Sequence, residues 1–246
     1  MSMPVKPADR PLRPASSARW NLFEVVLVYV VIYALGGAYS LFVDFLFDRF
    51  GEGWPDNAGM MFFVASIVVE AVLLLVALWY VVAVRHRGSL REIGYTSRAW
   101  PRQVATGILA GLGIFALVYA ADTITLWLTG PRQGPHPLVD LVSAAQAPRE
   151  LFFPFLLGSL LVPISEESYF RGFAYPALRD RVGKPAAMVL VSLFFALIHL
   201  DPWGFPALVL AGLALVWLYD RTESIWPPII AHALWNTIVT ALTYLH

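Results

Sequence analysis

Long uninterrupted apolar runs, recurring along most of the chain, constrain this sequence more than any other feature. A helix needs about 20 apolar residues to cross the hydrocarbon core of a bilayer. Seven blocks approach or reach that length. They run from Asn21 to Phe47, Met60 to Val84, Val104 to Leu128, Leu151 through Ile164 and on to Arg181, Pro185 to Leu200, Phe205 to Tyr219, and Ile225 to Leu245. A water-soluble core has no use for so many such runs, so burial in lipid is the simpler account. The expected fold is all-α, a polytopic transmembrane helix bundle of about seven spans (six to eight). An eighth, short helix is suggested within 136–147, where Leu138, Leu141 and Val142 share a helical face.

Composition agrees. Only 14% of the 246 residues are charged and 59% are hydrophobic, against about 25% charged in soluble domains. The net charge of +0 leaves no basic surplus for nucleic acid. With no cysteine, disulfides, thiolate metal sites and cysteine nucleophiles are excluded. Residues 1–20 are basic and Pro-rich and read as a disordered cytoplasmic tail. Residues 21–246 read as one transmembrane domain. A signal peptide is disfavoured because the first apolar run exceeds an h-region. Lysine and arginine are biased to one side, 13 against 3. This bias places the N-terminus in the cytoplasm and the protein, multi-pass, in the cell membrane.

Ionisable groups within spans are costly and are functional candidates by default. They concentrate at about 150–240. The fourth block holds Glu166, Glu167 and Arg171, the fifth ends on Phe195 to His199, and the seventh holds His232 and Asn236. On a helix, residues four apart are neighbours and adjacent residues lie about 100° apart. Glu167 and Arg171 are therefore expected to pair, while Glu166 points elsewhere without a basic partner on its own helix. A hairpin turning near Gly183 puts Glu166 and His199 at one depth. Taken singly, each group has a plainer reading: a helix-stabilising ion pair, an interfacial histidine, or interhelical hydrogen-bonding glue. Glu70 and Asp122 also lie deep in spans and receive no role.

The three patterns, Glu166-Glu167-Ser-Tyr-Phe-Arg171, Phe195 to His199 and His232 to Asn236, resemble those of the CAAX-processing and bacteriocin-processing (abortive-infection) membrane protease family. That family carries EExxxR, FxxxH and HxxxN or HxxxD on successive helices. The resemblance covers about residues 150–240 and implies hydrolysis of a peptide bond within the membrane, with a peptide or protein substrate in or at the bilayer. In eukaryotic relatives the substrate is a prenylated CAAX terminus.

Hydrolysis needs an activated water and a stabilised oxyanion. Glu166 is the expected general base, with His199 helping to hold the water. His232 and Asn236 are expected to face the scissile carbonyl, and Glu167 with Arg171 to keep the helix in register. No cofactor is favoured. The rival chemistry is zinc held by Glu166, His199 and His232. HExxH, GxSG and GxGD signatures are absent. The alternative is a transporter, or a scaffold that retains the fold, since buried Glu and His also build proton relays.

Overall fold

The computed structural model describes residues 18–52, 54, 58–130, 142 and 151–245 of the chain. Most of the expected tail lies outside these residues. So does the 136–147 segment, apart from Val142, which is helical and buried. No strand occurs among the described residues. Seven helical rods make up the bundle: α1 (Leu22–Phe50), α2 (Ala58–Trp79), α3 (Trp100–Thr129), α4 (152–182), α5 (Lys184–Leu197), α6 (Phe205–Thr222) and α7 (Trp226–Leu245). A π-helical segment, Tyr80–Arg85, continues α2. Five rods, α1, α2 with this extension, α3, α6 and α7, are long and apolar enough to cross a membrane.

The other two differ from plain spans. The apolar block expected as Pro185 to Leu200 forms a helix of only 14 residues, about 21 Å at 1.5 Å per residue, short of a bilayer core of about 30 Å. It stops because Leu200 takes a left-handed conformation, φ 51°, and Asp201 caps the following turn through Trp203 N and Gly204 N. Rod α4 is continuous but is interrupted by two π-helical segments, Leu157–Leu161 and Ser168–Ala174.

The N-terminal end is pinned, not loose. Asn21 accepts from Glu24 N and Glu24 returns a bond to Asn21 N, a reciprocal capping box. Glu24 is buried and also receives Arg85 Nε at 2.5 Å and His86 Nε2 at 2.9 Å, so it joins α1 to the end of α2. Residues 18–20, assigned to the disordered tail by sequence, are fixed. Trp20 stacks on Phe173 and donates its indole N–H to Phe173 O at 2.7 Å.

Two apolar clusters hold the bundle. One is built mainly from α1, α2, α4 and α5 around Tyr169, Phe170, Phe173 and Phe195, with Val216 and Tyr219 of α6 and Ile229 of α7 joining it. The other joins α3, α6 and α7 around Ile114, Leu215 and Trp235. Elsewhere α1, α2 and α3 present large apolar side chains outward, such as Leu41, Leu109 and Trp127. This is how helices facing lipid are expected to look.

Helices in lipid gain little from apolar burial against each other, so close approach through small residues becomes important. Gly107 and Gly111 of α3, four apart, lie against Ile230 and Ala231 of α7. A Cβ at Gly107 would fall 2.7 Å from Ile230 Cβ, and one at Gly111 would fall 3.0 Å from Ala231 O. Gly113, two residues on, has nothing within 4 Å. Gly111→Leu should therefore cost about 1–3 kcal/mol through overpacking. Gly113→Leu should leave stability nearly unchanged. Thermal unfolding of the two variants in one detergent checks this.

Candidate active site

The site forms where the two clusters meet. On α4, Glu167 and Arg171 lie on the inward face, 0% and 1% exposed. The ion pair expected from their spacing is formed, with Arg171 Nη1 donating to Glu167 Oε1 at 2.8 Å. Arg171 Nη2 reaches Gly212 O of α6 at 3.5 Å, and the guanidinium carbon sits 4.5 Å from the centre of the Phe195 ring of α5. Gly212 permits this because its backbone packs directly on Ser192 of α5.

His232 gains a partner that the sequence did not predict. Its Nδ1 lies 2.9 Å from Glu167 Oε1, so its partner is the ion-paired glutamate on α4. A carboxylate accepts, so Nδ1 carries the hydrogen and Nε2 points to the other side. The ring stacks on Trp235 at 5.3 Å and meets Phe195 edge-on at 6.0 Å. One carboxylate oxygen therefore holds both Arg171 and His232 and ties α4 to α7.

Glu166, adjacent in sequence and rotated by about 100°, receives neither donor. Its Oε2 is buried and has no hydrogen-bond partner among the described residues. The charged groups that act on it are His232, Glu167, Arg171 and Glu70.

His199 lies just beyond the end of α5, in the turn, and its side chain is exposed. Its Nδ1 bonds Phe195 O at 2.7 Å and its ring packs on Phe195 at 4.7 Å. A carbonyl cannot donate, so this nitrogen must be the N–H, and Nε2 is left as an acceptor. Both motif histidines thus carry the proton on Nδ1 and present Nε2.

Asn236 likewise has a partner within the bundle. Its Nδ2 donates to Gly158 O of α4 at 2.8 Å. The local sequence explains why that carbonyl is available. In the π-helical segment Val162 N–H bonds Leu157 O, five residues back, instead of Gly158 O. The next amide belongs to Pro163, which has no N–H. Gly158 O is left without a backbone donor, and Asn236 supplies one. Thr237, next to it on α7, bonds Ser159 Oγ at 2.7 Å. The second π segment repeats the combination, with Tyr175 N–H bonding Phe170 O and Pro176 following.

For zinc, the fit is poor. Among the described residues no three His, Asp or Glu side chains are grouped so as to hold a metal ion. Glu166, His199 and His232 are not gathered into a ligand set.

Sequence reading missed several participants: the π segments, Gly158, Gly212, Ser159, and Phe195 as the ring beneath Arg171. Pro163 and Pro176 inside a helical run were the available signal for the first of these.

Removing one partner of a buried pair strands the other charge, at about 3–5 kcal/mol. Arg171→Met should therefore destabilise strongly, and Glu167→Gln added to it should recover part of the loss. Asn236→Ala, which leaves Gly158 O unpaired, should cost about 1–3 kcal/mol. Chemical or thermal unfolding in detergent measures all three.

Comparison with known proteins bears on this region. The family model for type II CAAX prenyl endopeptidase Rce1-like proteins matches residues 148–238. A curated relative from Bacillus subtilis (strain 168), "Putative membrane peptidase YdiL", is 32% identical over 87 residues, 35% of this chain and 36% of the relative. The match thus spans about a third of that relative's length. No solved structure matches. Glu166, Glu167, Arg171, His199, His232 and Asn236 all lie within residues 148–238, the stretch that is similar to the Rce1-like family.

Proposed function

We propose that the protein is an intramembrane endopeptidase of the CAAX-protease type, which hydrolyses a peptide bond with water activated by Glu166. The observation that carries this reading is the division of labour between two adjacent carboxylates. Glu167 is occupied by Arg171 and His232. Glu167 takes both donors on Oε1, its Oε2 being unpartnered, whereas Glu166 receives neither donor and its Oε2 is buried without a hydrogen-bond partner among the described residues. An acid tolerated in that state within a membrane bundle calls for a reason, and proton transfer supplies one.

In the proposed reaction Glu166 takes a proton from a water molecule while the water oxygen adds to the scissile carbonyl carbon. His199, with Nδ1–H fixed on Phe195 O, offers Nε2 as an acceptor for the second water hydrogen. The oxyanion is stabilised by donors aimed at the carbonyl oxygen. His232 Nε2, when the ring is protonated, is one such donor, and Glu167 on the opposite nitrogen holds the ring in orientation. Asn236 has a second Nδ2 hydrogen beyond the one given to Gly158 O. As the C–N bond breaks, protonated Glu166 returns its proton to the departing amine. One water is consumed, and a carboxylate and an amine result.

The substrate is a peptide or protein chain in or at the bilayer. The cell membrane, with a cytoplasmic N-terminus, is the proposed location. The basic bias of the loops after α2, α4 and α6 supports it.

The test is purified protein in proteoliposomes with a fluorogenic CAAX-type peptide, prenylated and unprenylated. Glu166→Gln should lower kcat by about 10²–10⁴-fold, as expected for loss of a general base. His199→Ala and His232→Ala should also fall, with unfolding temperature little changed for His199→Ala. Full cleavage by Glu166→Gln would remove the assignment of the base. Cleavage should persist in a strong chelator. Activity lost to chelator and restored by stoichiometric zinc would favour the metal reading instead.

A further inference from the structure

A hydrolase buried among lipid-facing helices must be supplied with water, and α1 and α2 enclose a space suited to that. The two helices enclose between them a cavity of about 480 Å³. That is room for on the order of ten waters. Its lining is unusual for two apolar spans. Tyr33, Ser40 and Asp44 face it from α1, and Ser66 and Glu70 from α2. The positions repeat at helical spacing on both rods: 33, 36/37, 40, 44 and 47 on one, and 59, 62/63, 66 and 70 on the other. Each helix thus turns one stripe toward its neighbour, in which these polar groups and Gly36, Gly37 and Gly59 are interleaved with Val43, Phe47, Phe62 and Phe63, while Leu41, Phe42 and Val69 remain outward.

The glycine pair opens the space. Gly37 has nothing within 4 Å of an added Cβ, and at Gly36 the nearest atom would be Glu70 Oε2 at 3.8 Å. Two of the hydroxyls are held by α2 carbonyls, Tyr39 OH by Phe62 O at 3.2 Å and Ser66 Oγ by Phe63 O at 2.7 Å. Their oxygens keep lone pairs for further hydrogen bonds. Acidic groups at membrane depth usually face a water-filled cavity. The lining ends at Glu70 on α2, the helix that packs against the Val162–Glu167 stretch of α4, and Glu70 is among the charged groups acting on Glu166.

We infer that the α1–α2 cavity is the route by which water enters the bundle and reaches Glu166, and that Glu70 is the positioning residue at its inner end. This rests on the hydrolase reading for the destination of the water. The hydration of the cavity itself does not. Glu70 needs only to be polar for this task. It holds the last waters of the file and takes no part in bond breaking.

The chain has no cysteine, so single cysteines can be placed without removing any. In proteoliposomes, Ser40→Cys and Ser66→Cys should react with a charged, membrane-impermeant methanethiosulfonate, because thiolate forms only where water reaches. Leu41→Cys and Val69→Cys, facing lipid, should react at least about tenfold more slowly. Equal, slow labelling at all four positions would overturn the cavity as a water route. In the peptidase assay, the double variant Ser40→Leu/Ser66→Leu fills the cavity and should lower kcat by about tenfold or more with KM little changed. Glu70→Gln should keep turnover within about threefold, and Glu70→Leu should lose it like the filled variant. Undiminished kcat in the filled variant, once its folding is confirmed by an unchanged unfolding temperature, would overturn the route even if the cysteines label. Fast labelling of Ser40→Cys and Ser66→Cys, together with a wild-type protein that cleaves no peptide, would instead sink the hydrolase reading and leave only a hydrated cavity.

Discussion

A guanidinium placed inside a bundle that faces lipid must find an anion and further acceptors, because no water is at hand to replace them. Arg171 finds them on three different helices. Its anion is Glu167, one turn away on α4, its carbonyl is Gly212 on α6, and its flat face lies over Phe195 of α5. Since Glu167 also holds His232 of α7, four helices are fixed relative to one another through a single buried side-chain group. The orientation of Glu166 follows from this arrangement. With Glu167 turned inward by its two donors, helical geometry turns Glu166 to the side, where it receives neither Arg171 nor His232.

The backbone of α4 contributes as much as its side chains. Two π-helical segments, each followed by a proline, leave carbonyls that the helix cannot satisfy by itself. In water such defects would be solvated. Within a bundle they have to be met by neighbours, and Asn236 meets one of them at Gly158. A residue that a motif suggests for oxyanion contact is thus also part of what joins α7 to α4. Substitutions at Asn236 should be read with both roles in mind, since stability and turnover can fall together.

Much of the bundle was legible in the residues. The apolar blocks gave α1, α2, α3, α6 and α7 to within a few positions, because span length is set by bilayer thickness and needs no partner. The Glu167–Arg171 pair was legible because it is local, a consequence of 3.6 residues per turn. The short α5 was less so. Its apolar block continues to Leu200, and only the left-handed turn with its Asp201 cap ends the helix at Leu197. The fixed end of the tail was hidden as well, since Trp20 is held by Phe173, far away in sequence.

What the sequence alone determined is therefore an α-helical membrane bundle and the helix faces that carry Glu166, Glu167, Arg171, His232 and Asn236. These depend on hydropathy and on helical periodicity, which act within one segment. Which donor meets which acceptor was decided only by tertiary structure. Spacing along α7 says that His232 and Asn236 share a face, but not that one meets Glu167 and the other Gly158. Those partners are set by how far α7 slides and rotates against α4, and that depends on the packing of the whole bundle.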